Sequence, residues 1–223
     1  MTEMQQNKNK AEQPENTKEK SANQSGKKTD NREIRVGFVG NPNCGKTTLF
    51  NAFTGANLKV ANWPGVTVER VEGRTNYKGR PIKVIDLPGI YSLTSYTIEE
   101  IVTRRCIEEG EVDVIINVVD ASSLERNLYL TLQLLELKKP VILALNMMDE
   151  VRSNGGSIDV QKMSASLGIP VIPIAAAKGE GVSELVDQAI AVARSKTLPK
   201  VTDFCADDSA VHRCIHAVTH LIA

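Results

Sequence analysis

An eight-residue stretch, GNPNCGKT at positions 40–47, constrains the fold of this chain more than any other feature. It fits the pattern G-x-x-x-x-G-K-[ST] of a phosphate-binding P-loop. The apolar run IRVGFV at positions 34–39 precedes it and predicts a buried strand. The segment KTTLFNAFT that follows has its apolar residues on one helical face and ends at Gly55. A strand, a glycine-bearing loop and a helix in this order are the context that the motif requires, which disfavours a chance match.

The predicted loop has the chemistry of a polyphosphate site. The first N–H groups of a helix have no partner within the helix, and its N-terminus carries partial positive charge. Gly40 and Gly45 allow the backbone to approach a phosphate more closely than a Cβ would permit. We expect Lys46 to neutralise the β- and γ-phosphates and the Thr47 hydroxyl to ligate Mg²⁺. The motif alone does not distinguish ATP from GTP.

The sequence DLPG at positions 86–89 directly follows the apolar run IKVI, which predicts a strand. At the carboxyl edge of a parallel sheet, Asp86 is positioned to hold the Mg²⁺ ion through a water molecule. Gly89 can offer its backbone N–H to a γ-phosphate. Downstream of a P-loop and after a strand, this short motif favours phosphate binding over a capped turn.

The sequence NMMD at positions 146–149 follows the apolar run VILAL and indicates which base is bound. Guanine presents two neighbouring donors, N1–H and N2–H₂, that the Asp149 carboxylate can accept together, and adenine lacks that pair. Asn146 would brace the site or touch the base, and the Met147 thioether can cover a base face. After the last predicted strand, backbone N–H groups of AAAKG at positions 175–179 are expected near guanine O6.

These motifs together define one expected nucleotide site. The residues predicted to contact the nucleotide are Gly40, Asn41, Pro42, Asn43, Cys44, Gly45, Lys46, Thr47, Thr48, Asp86, Gly89, Asn146, Met147, Asp149, Ala176, Ala177 and Lys178. Within this set, Cys44 is interpreted as a small side chain packed under the loop, with a redox-sensitive thiol as the alternative.

From residue 34 to about residue 196, apolar strands alternate with helical patterns. Continuous apolar strands separated by helices predict an α/β fold with a mostly parallel sheet and helices on both faces. A hairpin around Lys78 and Gly79 places one antiparallel strand at the edge of that sheet. The polar stretch 56–67, which contains the sequence WPG, is interpreted as a loop.

Both ends of the chain differ from this middle part. Residues 1–31 contain almost no apolar side chains and are predicted to be a disordered extension. Residues 197–223 carry an apolar stripe with helical spacing, which predicts the truncated beginning of a further helical unit. Three histidines in that segment, His212, His216 and His220, recur every four residues. We interpret them as the polar face of an amphipathic helix, with a metal site as the alternative.

Charge and cysteine content disfavour several classes of function. Lys+Arg and Asp+Glu balance at 27 each, so no net charge draws the chain to nucleic acid or to an anionic membrane. The four cysteines form no C-x-x-C pair, which disfavours a zinc site or a disulfide framework and fits a reducing cytosol. The N-terminus lacks the apolar stretch of a signal peptide, and no apolar run reaches the roughly 20 residues that span a bilayer.

Five segments, GNPNCGKTTLFNAFTG, NWPGVTVER, VIDLPGIYSL, NVVDA and NMMD, together resemble the GTPase domain of the bacterial ferrous iron transport protein B family. The resemblance covers residues 32–196 and implies a Ras-like P-loop GTPase fold with six strands and five helices. It implies Mg²⁺-dependent hydrolysis of GTP to GDP and phosphate in the regulation of Fe²⁺ uptake, with Thr67 closing on Mg²⁺ and the γ-phosphate. It also implies that residues 197–223 begin a helical, GDI-like domain. The chain would then lie at the cytoplasmic face of the bacterial inner membrane, beside the membrane region of the same full-length transporter.

Two positions bear on how hydrolysis would proceed. The residue after DLPG is Ile90, whose apolar side chain cannot orient a water molecule. By resemblance to potassium-activated relatives, Asn43 would ligate K⁺ together with the carbonyls of Ala61 and Trp63. Such an ion would neutralise charge that develops on the β–γ bridge. The alternative for Asn43 is a turn residue that hydrogen-bonds its own loop. The residues predicted to take part in catalysis are Lys46, Asn43, Thr67 and Gly89.

Functions other than a GTP-hydrolysing enzyme are also compatible with parts of the sequence. One is a guanine-nucleotide switch, in which turnover is incidental and the γ-phosphate orders the loops 56–67 and 87–97. Another is an RNA- or ribosome-associated GTPase, which the neutral charge and the lack of a basic stripe disfavour. A nucleoside kinase is disfavoured because no second substrate site or arginine-rich lid is visible. The expected partners are guanine nucleotide and the membrane region of the transporter, with self-association left open and nucleic acid not expected.

Overall fold

The computed structural model describes residues 32–55 and 58–200, in which strands and helices alternate as the sequence predicts. In chain order the elements are β1 Ile34–Gly40, α1 Lys46–Thr54, β2 Leu58–Asn62, β3 Glu69–Tyr77, β4 Arg80–Asp86, α2 Ile98–Glu108, β5 Val114–Asp120, α3 Leu124–Glu136, β6 Val141–Asn146, α4 Met148–Ser153, α5 Val160–Leu167, β7 Val171–Pro173 and α6 Val182–Ser195. Short 3-10 turns lie at Ala121–Ser123 and Ala176–Lys178.

The strands form one sheet in the order β2-β3-β4-β1-β5-β6-β7. The pairs β4–β1, β1–β5, β5–β6 and β6–β7 are parallel, whereas β2–β3 and β3–β4 are antiparallel hairpins at one end of the sheet. Parallel strands present their carboxyl ends at the same edge of a sheet, where open α/β sheets bind ligands. The loops after β1, β4, β6 and β7 therefore lie at one edge.

The central strands are buried on both faces, and alternate residues of one strand enter different apolar clusters. On β1, Phe38 belongs to the first cluster and Val39 to the second; on β5, Ile116 and Ile115 divide in the same way. Residues of α1 and α6 complete the first cluster, and residues of α2, α3 and α5 complete the second. Helices thus cover both faces of a mostly parallel sheet, which confirms the predicted class of fold.

One edge of the sheet differs from the prediction. The sequence predicts a loop at 56–67 and six strands, whereas Leu58–Asn62 forms a seventh strand, β2, that pairs with β3. All five residues of β2 are exposed, so backbone pairing holds the strand and no alternating apolar pattern marks it in the sequence. The predicted antiparallel strand is β3, and β2 lies outside it at the edge.

The helices and the hairpin turn follow the prediction with one addition. The five predicted helices are present in the described residues, and a sixth, α4, begins directly after Met147. Its six residues make fewer than two turns, too few for apolar periodicity to be recognised. The predicted turn between β3 and β4 is confirmed, since Lys78 and Gly79 both have positive φ, at 50° and 78°. Positive φ at both central residues is the requirement of a two-residue type I′ hairpin.

Several predictions fall outside the described residues. They concern the extension 1–31, the helical unit from residue 201 onward, and the three histidines with the cysteines at positions 205 and 214. Within the described residues, no helix has both the length and the apolar composition that crossing a membrane requires. No group of three histidine, cysteine or acidic side chains in that part of the chain is arranged to hold a metal ion. The domain limits 32–196 stay a prediction.

Candidate nucleotide-binding site

The predicted motifs come together at the carboxyl edge of the sheet. The P-loop follows β1, DLPG follows β4, NMMD follows β6, and AAAKG follows β7. Hydrogen bonds join these loops to one another directly: the Ile90 N–H donates to the Gly40 carbonyl at 3.1 Å, and the Met148 N–H donates to the Ile174 carbonyl at 3.2 Å. Four segments that are far apart in sequence thus build one continuous surface.

Both glycines of the P-loop are required by their surroundings. A Cβ on Gly40 would lie 2.6 Å from the Val118 carbonyl oxygen and 2.7 Å from the Cys44 sulfur. Gly45 has a φ of 83°, and a Cβ there would overlap the amide nitrogen of Asn146. Since side chains other than glycine rarely adopt this φ, conformation and space both exclude them. At these two glycines the backbone of the loop therefore packs directly against β5 and against the NMMD segment.

The start of α1 is suited to an anion. This nine-residue helix begins at Lys46 directly after Gly45, its first turn contains no acidic residue, and no side chain caps it. Its first N–H groups are therefore available to phosphate oxygens, as at other helix N-termini that bind anions. Thr47 and Thr48 lie exposed in this first turn, where the Thr47 hydroxyl can face a bound metal ion.

Lys46 and Asp86 form a direct ion pair, although 40 residues separate them in sequence. Only 11% of the Lys46 side chain and 13% of the Asp86 side chain are exposed. Burial raises the pKa of the Asp86 carboxyl, and the facing ammonium opposes that rise. The cation predicted for phosphate and the carboxylate predicted for Mg²⁺ therefore share one largely desolvated position, where charge interactions are stronger than in water.

Within the P-loop, three residues have different surroundings. Asn43 is exposed with a φ of 66°, and its side chain forms no hydrogen bond to a described residue. Cys44 is buried, and burial raises the pKa of its thiol to about 11, which fits an unreactive packing residue.

Asn41 is buried, donates from Nδ2 to the Arg126 carbonyl at 3.3 Å, and leaves Oδ1 without a partner among the described residues. The contact with Arg126 carries no sequence signal, because it depends on how α3 packs.

The DLPG loop lies against the P-loop. A Cβ placed on Gly89 would be 3.4 Å from the Cα of Pro42, so the two loops are in contact at this point. The Leu87 N–H donates to the Phe38 carbonyl at 3.0 Å and continues the pairing of β4 with β1. Ile90 is buried in the second apolar cluster, in agreement with the inference that its side chain does not orient water.

Asn146 bridges the phosphate side and the base side of the site. Its Nδ2 donates to the Cys44 carbonyl at 3.0 Å, and its Oδ1 accepts the Ala176 N–H at 3.0 Å. The residue is 3% exposed. Of the two roles predicted for Asn146, the structure therefore favours bracing over contact with the base, because both ends of the amide already have backbone partners.

The base side carries an ionised carboxylate. Lys178 Nζ lies 2.9 Å from Asp149 Oδ2, and this ammonium lowers the pKa of the Asp149 carboxyl. Met147 has a φ of 63° and directly precedes α4, the helix that carries Asp149. Ala176 is buried and Ala177 is exposed in the adjoining 3-10 turn, and the Ala176 N–H donates to Asn146 Oδ1 at 3.0 Å.

Three predicted residues lie on the β2–β3 hairpin instead of in the P-loop region. Ala61 pairs with Arg70 across the hairpin, and the Trp63 carbonyl accepts the Val66 N–H at 3.2 Å. Thr67 is exposed in the turn. No hydrogen bond joins Ala61, Trp63 or Thr67 to the P-loop within residues 32–55 and 58–200. Their metal-binding roles stay predictions.

Replacement of Asn146 by alanine is expected to lower the free energy of unfolding by about 1–3 kcal/mol, because the buried Cys44 carbonyl and Ala176 N–H lose their partner. We also expect GDP affinity to fall about tenfold, which corresponds to about 1.4 kcal/mol of binding free energy, because the two loops are no longer held together. Urea denaturation and titration with fluorescent GDP measure the two effects. Asn154→Ala, at an exposed position, is the matched control. An unchanged GDP affinity in Asn146→Ala would contradict the bridging role.

Comparison with known proteins gives one consistent family. A family-level sequence profile described as "Ferrous iron transport protein B" matches residues 34–189. The chain is 49% identical over 158 residues to the Fe(2+) transporter FeoB of Escherichia coli (strain K12), which is 69% of this chain and 20% of the relative. It is 48% identical over 166 residues to the Fe(2+) transport protein A/Fe(2+) transporter FeoB fusion protein of Porphyromonas gingivalis, which is 74% of this chain and 20% of that protein. The chain therefore spans about a fifth of the length of these relatives.

Solved structures agree in fold. The FeoB G-domain from Methanococcus jannaschii aligns with a TM-score of 0.65 at 46% identity and covers 74% of this chain and 99% of its own. The cytosolic domain of T. maritima FeoB, in a GDP form, aligns with a TM-score of 0.76 at 41% identity, over 85% of this chain and 73% of its own. An N11A mutant of S. thermophilus NFeoB bound to mGDP aligns with a TM-score of 0.74 at 41% identity, over 86% and 73%.

Proposed function

Because this chain belongs to the ferrous iron transport protein B family, we propose that its G-domain binds GTP with Mg²⁺ and hydrolyses it to GDP and phosphate. One observation carries the proposal: Asn146 hydrogen-bonds both the P-loop and the 175–179 loop. This bridge joins the loop predicted to bind phosphate to the loop predicted to bind the base, which supports a shared ligand. The GDP-bound relatives support the same ligand class.

The proposed roles follow from the positions of the side chains. Lys46 neutralises the β- and γ-phosphates, with the N–H groups at the start of α1 beside it. Thr47 and Asp86 would hold Mg²⁺, which when bound would supply charge neutralisation to the phosphates. Gly89 offers its N–H to the γ-phosphate, and Asp149 accepts the two guanine donors. The Ile90 side chain is buried, so the attacking water is positioned by main-chain groups or by ordered solvent.

Asn43 is proposed as a K⁺ ligand, with the carbonyls of Ala61 and Trp63 as the other ligands. The exposed Asn43 amide forms no hydrogen bond to a described residue, which supports a ligand role over a turn residue bonded to its own loop. The Trp63 carbonyl accepts the Val66 N–H in this structure, and its second lone pair stays available to a cation. Thr67 would close on Mg²⁺ when a triphosphate binds.

Potassium should accelerate hydrolysis, and Asn43→Ala should remove that stimulation while leaving the slower rate in sodium unchanged. The physical reason is that a cation held by Asn43 would stabilise negative charge that develops on the phosphates in the transition state. The measurement is the initial rate of phosphate release from saturating GTP with Mg²⁺, in matched KCl and NaCl buffers. Asn76→Ala, at an exposed position on β3, controls for the loss of an amide. Stimulation that persists in Asn43→Ala would exclude this ligand.

A guanine-nucleotide switch with incidental turnover is the second candidate. It is favoured by the β2–β3 hairpin, in which Thr67 is exposed and the carbonyl of Trp63 accepts the Val66 N–H. Equal and very slow hydrolysis rates in potassium and sodium would favour the switch over the potassium-stimulated enzyme.

The wider role of the protein is proposed from the family. We propose that this G-domain regulates Fe²⁺ uptake at the cytoplasmic face of the bacterial inner membrane, beside the membrane region of the same full-length transporter. The family membership supports this, and the charge balance gives no support for a nucleic-acid partner. Fe²⁺ uptake by cells that carry Lys46→Ala in the full-length transporter tests the coupling. Uptake at the normal rate would reject it. Sedimentation of the 223-residue chain with and without nucleotide would test self-association.

A further inference from the structure

One buried side chain, Trp63, anchors the segment that joins β2 to β3. Among residues 58–67, Trp63 is the buried one, with 5% of its surface exposed. It belongs to the second apolar cluster, which also contains Leu87, Ile90 and Leu93 from the loop after β4. The hairpin and the DLPG loop are therefore held by one shared core.

Arg70 of β3 covers the indole of Trp63. Its guanidinium carbon lies 4.1 Å from the ring centroid, within the range of a cation–π contact. Two carboxylates fix the guanidinium: Glu72 accepts from Nε at 2.7 Å and Glu111 accepts from Nη2 at 2.7 Å. Only 16% of the Arg70 side chain is exposed, and Lys83 pairs with Glu72 at 3.0 Å. The stacked guanidinium is thus held on both sides by ion pairs.

The register of β3 places Thr67 at a distance from the metal-binding carboxylate. Val71 pairs with Asp86, and Thr67 lies four residues before Val71, in the bend that precedes β3, so the chain between them spans up to roughly 13 Å. Beyond the last strand pair, Asn62 with Glu69, one more backbone hydrogen bond closes the hairpin: the Trp63 N–H donates to the Val68 carbonyl at 2.9 Å. Thr67 can therefore meet a metal ion held by Asp86 only when the chain bends towards the P-loop and this end of the hairpin opens.

We propose that Arg70 is a positioning residue that holds Trp63, and with it the closed β2–β3 hairpin, against the binding of a nucleoside triphosphate. We name Trp63, Arg70, Glu72 and Glu111 the indole latch. The proposal rests on the proposed function, because the γ-phosphate and Mg²⁺ are what would draw Thr67 inwards. A diphosphate lacks the γ-phosphate and leaves the latch closed. Arg70 therefore sets the ratio of triphosphate to diphosphate affinity.

The direction of the effect follows from population arithmetic. A ligand that binds only the open hairpin has its apparent affinity reduced by the fraction of molecules that are open. Loss of the Arg70 guanidinium removes the stacking contact and both ion pairs, so the open fraction rises. Triphosphate affinity should then rise while diphosphate affinity stays the same.

The latch can be observed directly, because Trp63 is the single tryptophan of the chain. In Arg70→Ala without nucleotide, we expect the acrylamide quenching constant of Trp63 to rise about threefold. We expect the affinity for a non-hydrolysable GTP analogue with Mg²⁺ to rise about three- to tenfold, and GDP affinity to stay within about twofold. Arg70→Lys keeps the charge but lacks the planar fork that binds two carboxylates, so its values should fall between those of Arg70→Ala and the wild type.

Two further variants make the test decisive. Arg74→Ala removes an exposed arginine from the same face of β3, where it pairs with Glu33 at the surface, and should behave as the wild type. Glu111→Gln loosens Arg70 without altering the stacked pair, and should shift both quantities in the direction of Arg70→Ala even if that variant folds poorly. Unchanged quenching in the folded variants, or equal changes in analogue and GDP affinity, would overturn the latch. A wild-type chain that binds neither nucleotide would overturn the proposed function itself.

Discussion

Replacing Lys46 by alanine is expected to lower the rate of GTP hydrolysis about 10²–10³-fold, the typical cost of removing one preorganised group that stabilises transition-state charge. The ammonium lies in a largely desolvated position against Asp86, at the start of α1. Its loss removes the cation from the phosphates. It also leaves the Asp86 carboxyl buried without its partner, so the pKa of that carboxyl, already raised by burial, rises further. Loss of the ammonium therefore affects both the phosphates and the carboxyl proposed to hold Mg²⁺.

The measurement is phosphate release at saturating GTP and Mg²⁺ in KCl, with folding checked by circular dichroism. Lys162→Ala removes an exposed ammonium from α5 and should retain the wild-type rate. A Lys46→Ala protein that is folded, binds GTP and hydrolyses it within tenfold of the wild-type rate would contradict the assignment of Lys46.

Replacing Asp149 by asparagine is expected to lower GDP and GTP affinity about 10²–10³-fold, since two charge-assisted hydrogen bonds of about 1.5–3 kcal/mol each are affected. We propose that the Asp149 carboxylate accepts both guanine donors at once, and the ammonium of Lys178 beside it lowers the pKa of that carboxyl. An asparagine offers one oxygen acceptor and turns an NH₂ donor towards a second donor of guanine. Xanthine carries a carbonyl where guanine carries its N2 amine, so the Asp149→Asn variant should bind xanthosine nucleotides better than guanosine nucleotides.

Competition of unlabelled GDP and XDP against a fluorescent xanthosine or guanosine diphosphate measures this exchange of preference. Asp187→Asn makes the same chemical change at an exposed carboxylate on α6 and should leave both affinities at wild-type values. If Asp149→Asn keeps its preference for GDP, the base is recognised by groups other than Asp149.

Much of the fold was predictable because its signals are local. The buried strands β1, β5 and β6 are uninterrupted apolar runs, and the helices between them carry apolar residues at helical spacing. The P-loop, DLPG and NMMD are short motifs whose residue types predict phosphate, Mg²⁺ and guanine binding. The edge strand β2 carries no such local signal. All five of its residues are exposed, and pairing of its backbone with β3 holds it.

The arrangement of the site was less predictable, because it depends on contacts between distant residues. Asn146 is 102 residues from Cys44 and 30 from Ala176 in sequence. Its bracing role becomes visible only when the fold has brought Asn146, Cys44 and Ala176 together. No motif in the sequence marks Arg70 or Glu111 as part of a site. In the sequence both are typical of ordinary surface charges, and only the fold brings them together beside Trp63.

The amino-acid sequence by itself determined the class of fold, the phosphate loop and the residue types that meet phosphate, metal and guanine. These depend on hydrophobic periodicity and on short motifs, which act within a few residues of chain. The tertiary structure decided which of those residues are already joined, as Lys46 is to Asp86, and which have no hydrogen bond to one another in the described residues, as Thr67 and the P-loop. The physical reason is that burial, ion pairing and pKa depend on every group packed around a side chain, and most of those groups come from other parts of the chain.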